Sequence, residues 1–421
     1  MSFPHSSFLD LSVILCVLTF IIKRSLSMQL IKKLLTLPRI IYFSITIIII
    51  SLVFFFSNLA SAATIVTGIE FIGQATLPTG LSFQKTQLGG LSGITYDTKK
   101  DLYYAVSDDR SEKAPARFYT LKIDLSKGSL KDGDVTPVAV TTLLNDNGEK
   151  FLPSTSDTEG IALTSKETVF ISSEGDVDKL INPFIKEFSL SSSKVVKTLP
   201  IPNKFLPDKN GKQGIRNNLA FESLTITPDE KNLFTASENA LIQDGVAAQP
   251  KISTPCRILQ YSLLTNQPEK EYLYQTEPVT PLLNLTGKFA SGLPDLLALD
   301  NQGNFLSLER AFTGFGFAIS LFEVSLEGAD DIQNIDSLLA VDLNKIKPVQ
   351  KKKLLDLGTL QVSLDNIEGL TIGAKFPDGQ SSLLLISDNN FNSLQRTQIL
   401  AFKLKIESPL IRFFRRLFRI S

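Results

Sequence analysis

Residues 158–176 read TEGIALTSKETVFISSEGD: a polar residue and an acid, a short apolar run, a polar turn, a second apolar run, and a closing serine–acid pair. Apolar runs of this length bounded by turn residues are strands, and two of them joined by so short a turn form a hairpin. The arrangement recurs as LSGITYDTKKDLYYAVSDDR (91–110), FESLTITPDEKNLFTASENA (221–240), LPDLLALDNQGNFLSLERA (293–311) and IEGLTIGAKFPDGQSSLLLISDNN (367–390). The positions that open the five hairpins, Ser92, Glu159, Glu222, Asp295 and Glu368, lie 67, 63, 73 and 73 residues apart. A solenoid coil repeats faster than this, whereas a four-stranded propeller blade with long loops fits.

The stretches between hairpins supply the missing strands. RFYTLKIDL (117–125), FIKEFSL (184–190), RILQYSL (257–263) and 317–326 read as third strands, and 194–199, 271–275 and 353–357 as fourth strands. The reading is an all-β propeller of six blades, with five or seven as alternatives. Pairing 64–77, before the first hairpin, with 397–406, after the last, would close the ring and remove its exposed edges.

Ahead of the repeats, residues 40–56 are almost continuously apolar, with Lys32, Lys33 and Arg39 before them and Ala60, Ser61 and Ala62 after. A basic region, an apolar run and small residues in that order are expected of a signal peptide cleaved near residue 62, with Met28 as the expected start; an uncleaved membrane segment is the alternative. The chain then divides into a leader (1–62), a propeller domain (63–407) and a tail (408–421), and it is exported: periplasmic, extracellular or membrane-associated. In the tail, Arg412, Arg415, Arg416 and Arg419 recur at helical spacing opposite Phe414, Leu417 and Phe418, a pattern suited to an anionic membrane surface.

Of the 43 basic and 43 acidic residues, the leader holds five bases and one acid, so the remainder carries four more acids than bases. No basic excess points to nucleic acid. The only histidine, His5, lies in the leader, and Cys256 is the only cysteine after it. Without imidazole, Ser-His-Asp and Cys-His activation and His-ligated zinc are excluded, and Ser107, Ser173, Ser237 and Ser387 lack the usual activating base.

In an antiparallel hairpin, the residue before the first strand and the residue after the second share one edge of the sheet. Glu159 is therefore expected near Glu174, Glu222 near Glu238, Asp295 near Glu309, Glu368 near Asp388, and Ser92 near Asp108 and Asp109. A radial arrangement of blades would gather these groups on one face of the central channel. So many carboxylates at close quarters must take up protons, pair with bases or bind a hard cation, and an oxygen-only donor set favours Ca²⁺. The competing reading is that such acids accept backbone N–H groups or pair with Arg110, Arg216 or Arg310 as clamps between blades. Gly93, Gly160 and Gly369 are expected to serve tight backbone geometry, because no helix follows to cradle a phosphate.

Taken in order, the hairpins resemble the phytase-like family, described as esterase-like activity of phytase, from about Gly90 to Leu404. The resemblance rests on LSGITYD from Leu91, SDDR from Ser107, Asp157 followed by TEGIA, RNN from Arg216 with FESL from Phe221, LER from Leu308, DNIEGL from Asp365 and SDNNF from Ser387. It implies a propeller that cleaves esters or phosphoesters. The chain lacks the long acidic runs of characterised β-propeller phytases, which puts inositol phosphate in doubt as the substrate. The leading expectation is a Ca²⁺-dependent hydrolase of a small anionic phosphate or carboxylate ester. Its cation ligands would come from Glu222, Glu368, Asp388, Asp108, Asp109, Glu174, Glu238, Asp295 and Glu309. Glu159 or Glu222 would act as base, and Arg110, Arg216 and Arg310 would bind the anion. The alternatives are a non-catalytic ligand- or partner-binding propeller with structural Ca²⁺, and a lactonase-like calcium propeller.

Overall fold

The computed structural model describes residues 64–281 and 287–407. The leader and the basic tail lie outside the described residues. Among those described, no helix is long and apolar enough to cross a membrane.

Among the described residues, five four-stranded antiparallel sheets account for nearly all the regular structure. Blade 1 comprises Leu91–Asp97, Leu102–Ser107, Arg117–Ile123 and Val135–Thr142; blade 2 comprises Thr158–Leu163, Thr168–Ser173, Phe184–Ser189 and Val195–Leu199. Blade 3 comprises Thr225–Ile226, Asn232–Ala236, Pro255–Ser262 and Gln267–Gln275; blade 4 comprises Ala290–Ala298, Asn304–Phe312, Phe317–Ser325 and Gln350–Asp356. Blade 5 takes Asn366–Lys375, Ser381–Asp388 and Thr397–Glu407 from the end of the chain and Ile65–Leu77 from its beginning.

The ring therefore has five blades, not six. Both terminal strands belong to the sheet of the fifth hairpin, so they complete that blade instead of founding another. Their pairing runs from Ile65 opposite Glu407 to Leu77 opposite Thr397, interrupted by bulges at Val66/Gly68 and Phe71/Gly73. This is the expected closure, and it leaves the ring no open radial edge.

The core is divided among the blade interfaces. Tyr104, Val106 and Phe118 of blade 1 meet Ile161, Val169, Ile171 and Phe188 of blade 2. Phe170 and Ile185 turn the other way to meet Leu233, Leu259 and Tyr261 of blade 3. In the Ser381–Asp388 strand, Leu384 and Ile386 pack toward blade 1 while Leu383 and Leu385 pack toward blade 4. Successive side chains of a strand point to opposite faces, so a strand buried on both faces must be apolar throughout. That requirement explains the unbroken LLLI run.

The first strands of the five blades touch one another in a closed ring around the axis. Glycine makes that approach feasible. A Cβ at Gly93 would stand 2.4 Å from the Glu159 carbonyl oxygen, and one at Gly369 would stand 2.6 Å from the Ser92 carbonyl oxygen. Neither glycine needs an unusual φ; each is there because a neighbouring backbone occupies the side-chain position.

Candidate metal centre at the propeller axis

At the axis the same irregularity recurs in the opening hairpins. Pairing shifts between Leu91 and Gly93, Thr158 and Ile161, Gly292 and Asp295, and Ile367 and Gly369. Bulges re-aim side chains, and here they turn one residue per first strand toward the axis. Because Leu91, Thr158, Phe221 and Ile367 pair with Ser107, Ser173, Ser237 and Ser387, the next residue on each strand marks the axial position. The axial ends of the hairpins thus present Ser92, Glu159, Glu222 and Glu368 from the first arm and Asp108, Glu174, Glu238 and Asp388 from the second.

Blade 4 departs from the pattern. On its second strand Arg310, not Glu309, reaches the acids of the axis, Glu238 and Glu368. Glu309, which sequence alignment put on the rim, is one residue out of step, and a one-residue slip turns a strand side chain to the other face. Asp295, expected on the rim as well, accepts the backbone N–H groups of Leu296 and Leu370, each at 2.8 Å, tying blade 4 to blade 5. Glu309 pairs with Lys351 at 2.6 Å and accepts the Tyr274 hydroxyl at 2.7 Å. Two further expected rim residues also lie elsewhere. Asp109 is committed to Arg117 at 2.5 Å in a buried pair, and Arg216 donates to the carbonyls of Ala240 and Gly245 at 3.0 and 2.6 Å.

The sequence reading overlooked Asp157 as a ligand. Its signal was present, since it directly precedes the TEGIA segment, but it sits outside the hairpin pairing that defined the other candidates. One ligand oxygen each from Asp157, Glu159 and Glu174 lie within 4.8 Å of one another, and all three residues are buried. Around them stand Asp108, Glu222, Glu238, Glu368 and Asp388, and the bases that face this group are Arg110 and Arg310. Arg310 Nη2 donates to Glu238 Oε1 at 3.1 Å and to Glu368 Oε1 at 3.0 Å, so the one cation in the repeat pattern bridges blades 3 and 5. Glu368 also accepts Asn366 Nδ2 at 2.7 Å. Arg110 Nη2 lies 2.6 Å from Asp157 Oδ2 and donates to Asn218 Oδ1.

Burial governs the electrostatics. Loss of hydration raises the pKa of Asp108 to about 8, with Glu368 and Asp157 adding repulsion. Burial also raises Glu238 to about 7 against the pull of Arg310, and Asp157 to about 6 against the pull of Arg110. Glu159, Glu174, Glu222 and Asp388 are pushed well above the ordinary carboxyl range, first by burial and then by the surrounding acids, Asp157 foremost for Glu159 and Glu174, Glu159 for Glu222 and Asp108 for Asp388. Arg310 feels burial against its charge, but Glu238, Glu368, Glu222 and Asp388 outweigh it and hold the guanidinium ionised.

Eight acids facing two guanidiniums require protons or a cation. The side chains fit a hard divalent ion: the donors are oxygens, and the buried acceptors Asp108 Oδ1 and Asn366 Oδ1 lack a hydrogen-bond partner.

The family model for phytase-like proteins, described as esterase-like activity of phytase, matches residues 86–391. The chain belongs to the phytase-like family. No curated protein matches it. Among solved structures, this phytase-like chain is similar to the Dos1 propeller at 8% identity, covering 74% of this chain and 68% of that one with a TM-score of 0.32. An endo-arabinase from Bacteroides thetaiotaomicron matches at 11% identity, covering 77% and 95% of the two chains with a TM-score of 0.41. Kuenenia stuttgartiensis hydrazine synthase matches at 11% identity over 75% and 82%, with a TM-score of 0.34.

Proposed function

We propose that the phytase-like chain is an exported, Ca²⁺-dependent hydrolase of small phosphate or carboxylate esters, working at the axial carboxylate face. The observation that carries the reading is the excess of buried carboxylates over guanidiniums, together with the unpartnered acceptor Asp108 Oδ1. Asp157, Glu159 and Glu174 would hold the ion, with Asp108, Glu222, Glu368 and Asp388 as further candidates. When bound, the ion would supply charge neutralisation of the substrate anion and acidify water.

The chain's own groups do the remaining work. Glu222 stands among Glu159, Glu174 and Glu238, and burial followed by these neighbours raises its pKa so that it holds a proton in the metal-free protein; the charge of a bound cation would ionise it, and the carboxylate would then serve as the general base. Arg310 is occupied by Glu238 and Glu368 and holds blades 3, 4 and 5 in register. Arg110, whose side chain is 32% exposed, is the guanidinium left to meet the substrate anion.

Metal analysis of the purified protein, followed by a hydrolysis screen over phosphate and carboxylate esters with and without chelator, tests the reading. Activity that chelator abolishes and Ca²⁺ restores supports it. Activity indifferent to chelator removes the metal mechanism, and bound Ca²⁺ without turnover favours a ligand-binding propeller.

A further inference from the structure

The ion pair between Arg110 and Asp157 joins a buried acid to a partly exposed base, with Nη2 2.6 Å from Oδ2. The same Nη2 directs its hydrogen bond to Asn218 Oδ1, in the loop that follows Arg216. Asp157 is buried, whereas the guanidinium remains about one-third exposed. Asp157 is also one of the three residues whose oxygens could converge on an ion. A divalent cation and Arg110 would thus compete for one carboxylate, and Arg110 has somewhere else to go, because it is partly exposed and already has a neutral partner in Asn218. By contrast, Arg310 is enclosed and hydrogen-bonded to two acids.

We propose that Arg110 is a displaceable counter-ion that couples cation binding to oxyanion capture. A cation entering among Asp157, Glu159 and Glu174 takes over the charge of Asp157, and the released guanidinium, steadied by Asn218, becomes the anchor for a phosphate or carboxylate group. This rests on the cation-site reading above. Linkage requires the coupling to be reciprocal: the anion must tighten the cation by the same factor.

The test is calorimetric titration of the full propeller with Ca²⁺, with inorganic phosphate and with acetate, each alone and in the presence of the other ion, for the wild type, Arg110→Gln and Arg110→Lys. In the wild type, submillimolar Ca²⁺ should tighten the preferred anion by about tenfold, within the 5–150-fold range of ordinary coupling, and the anion should tighten Ca²⁺ equally. Which probe responds distinguishes phosphate from carboxylate chemistry. In Arg110→Gln, Ca²⁺ should bind at least as tightly as in the wild type, and the coupling should vanish. Arg110→Lys, which keeps the charge but loses the fork, should retain part of it. Weaker Ca²⁺ binding in Arg110→Gln, or coupling that survives the substitution, overturns the proposal. Failure of the wild type to bind Ca²⁺ at all overturns the cation-site reading itself. Should Arg110→Gln not fold, Asn218→Ala serves in its place: it should leave Ca²⁺ affinity intact and reduce the coupling, and unchanged coupling counts against the proposal.

Discussion

At the scale of single residues, the acids of the axis are distinguished by their partners. Glu222 and Glu368 open equivalent hairpins, but Glu368 is paired with Arg310 and Asn366, while Glu222 stands among other carboxylates. Glu222→Gln should leave metal-free stability unchanged or higher and should weaken Ca²⁺ binding. Glu368→Gln should cost on the order of 2 kcal/mol, because a buried guanidinium loses one charged acceptor. Urea midpoints of both variants in chelator check the contrast, and a matching loss in the two would refute it. The pH dependence follows from the same groups. Their folded pKa values, about 6 for Asp157, 7 for Glu238 and 8 for Asp108, lie above the ordinary carboxyl value near 4. An acid with a raised folded pKa contributes its stability while protonated and loses it as pH rises toward that pKa. In chelator, the denaturant midpoint should therefore fall between pH 5 and pH 8. A midpoint that holds or rises across that window would show that the cluster is not destabilising when ionised. Saturating Ca²⁺ should remove the decline.

At the scale of elements, the inner strands are set by backbone contact. A Cβ at Gly160 would stand 2.6 Å from Leu224 Cβ and 2.8 Å from both Glu222 O and Leu224 N, atoms of the neighbouring blade. Gly160→Ala should destabilise by about 1–3 kcal/mol through overpacking and should disturb Glu222 through its carbonyl. Gly316, where a Cβ would meet nothing within 4 Å, provides the control; Gly316→Ala should change stability by less than about 0.5 kcal/mol. Thermal or denaturant unfolding of the two variants decides whether inner-ring spacing matters. The hairpins were legible because alternation, turn residues and the serine–acid ending repeat locally. The blade 4 offset was not, because LER aligns with the serine–acid endings of the other hairpins, and only the contacts of Arg310 with Glu238 and Glu368 show that it, and not Glu309, faces the axis.

For the whole molecule, closure depends on Ile65–Leu77, which covers the edge of Thr397–Glu407 and contributes Val66, Ala75 and Leu77 to the core on both sides of blade 5. A chain beginning at Thr79 should leave that edge unpaired and expose apolar surface at two blade interfaces. The expected result is aggregation and a lower melting temperature, read by light scattering and calorimetry, with partial recovery when a peptide spanning 64–78 is added. A shortened chain that stays monomeric with an unchanged melting temperature would show that the closing pairing contributes little.

The sequence by itself determined the repeat, the all-β class, the pairing of the two ends and the collection of Glu159, Glu174, Glu222, Glu238, Glu368, Asp388 and Asp108 around one axis, because each follows from local periodicity and from which edge of a hairpin a residue occupies. Only the tertiary structure decided the rest. Five blades close the ring because Ile65–Leu77 and Thr397–Glu407, the first and last strands of the described residues, enter one sheet. Asp157 joins the acids from outside the hairpins, and Asp109, Asp295, Glu309 and Arg216 are spent on Arg117, backbone amides, Lys351 and carbonyls. Those outcomes depend on residues far apart in the chain competing for the same partner, and the competition is settled by distance and burial, which no periodicity encodes.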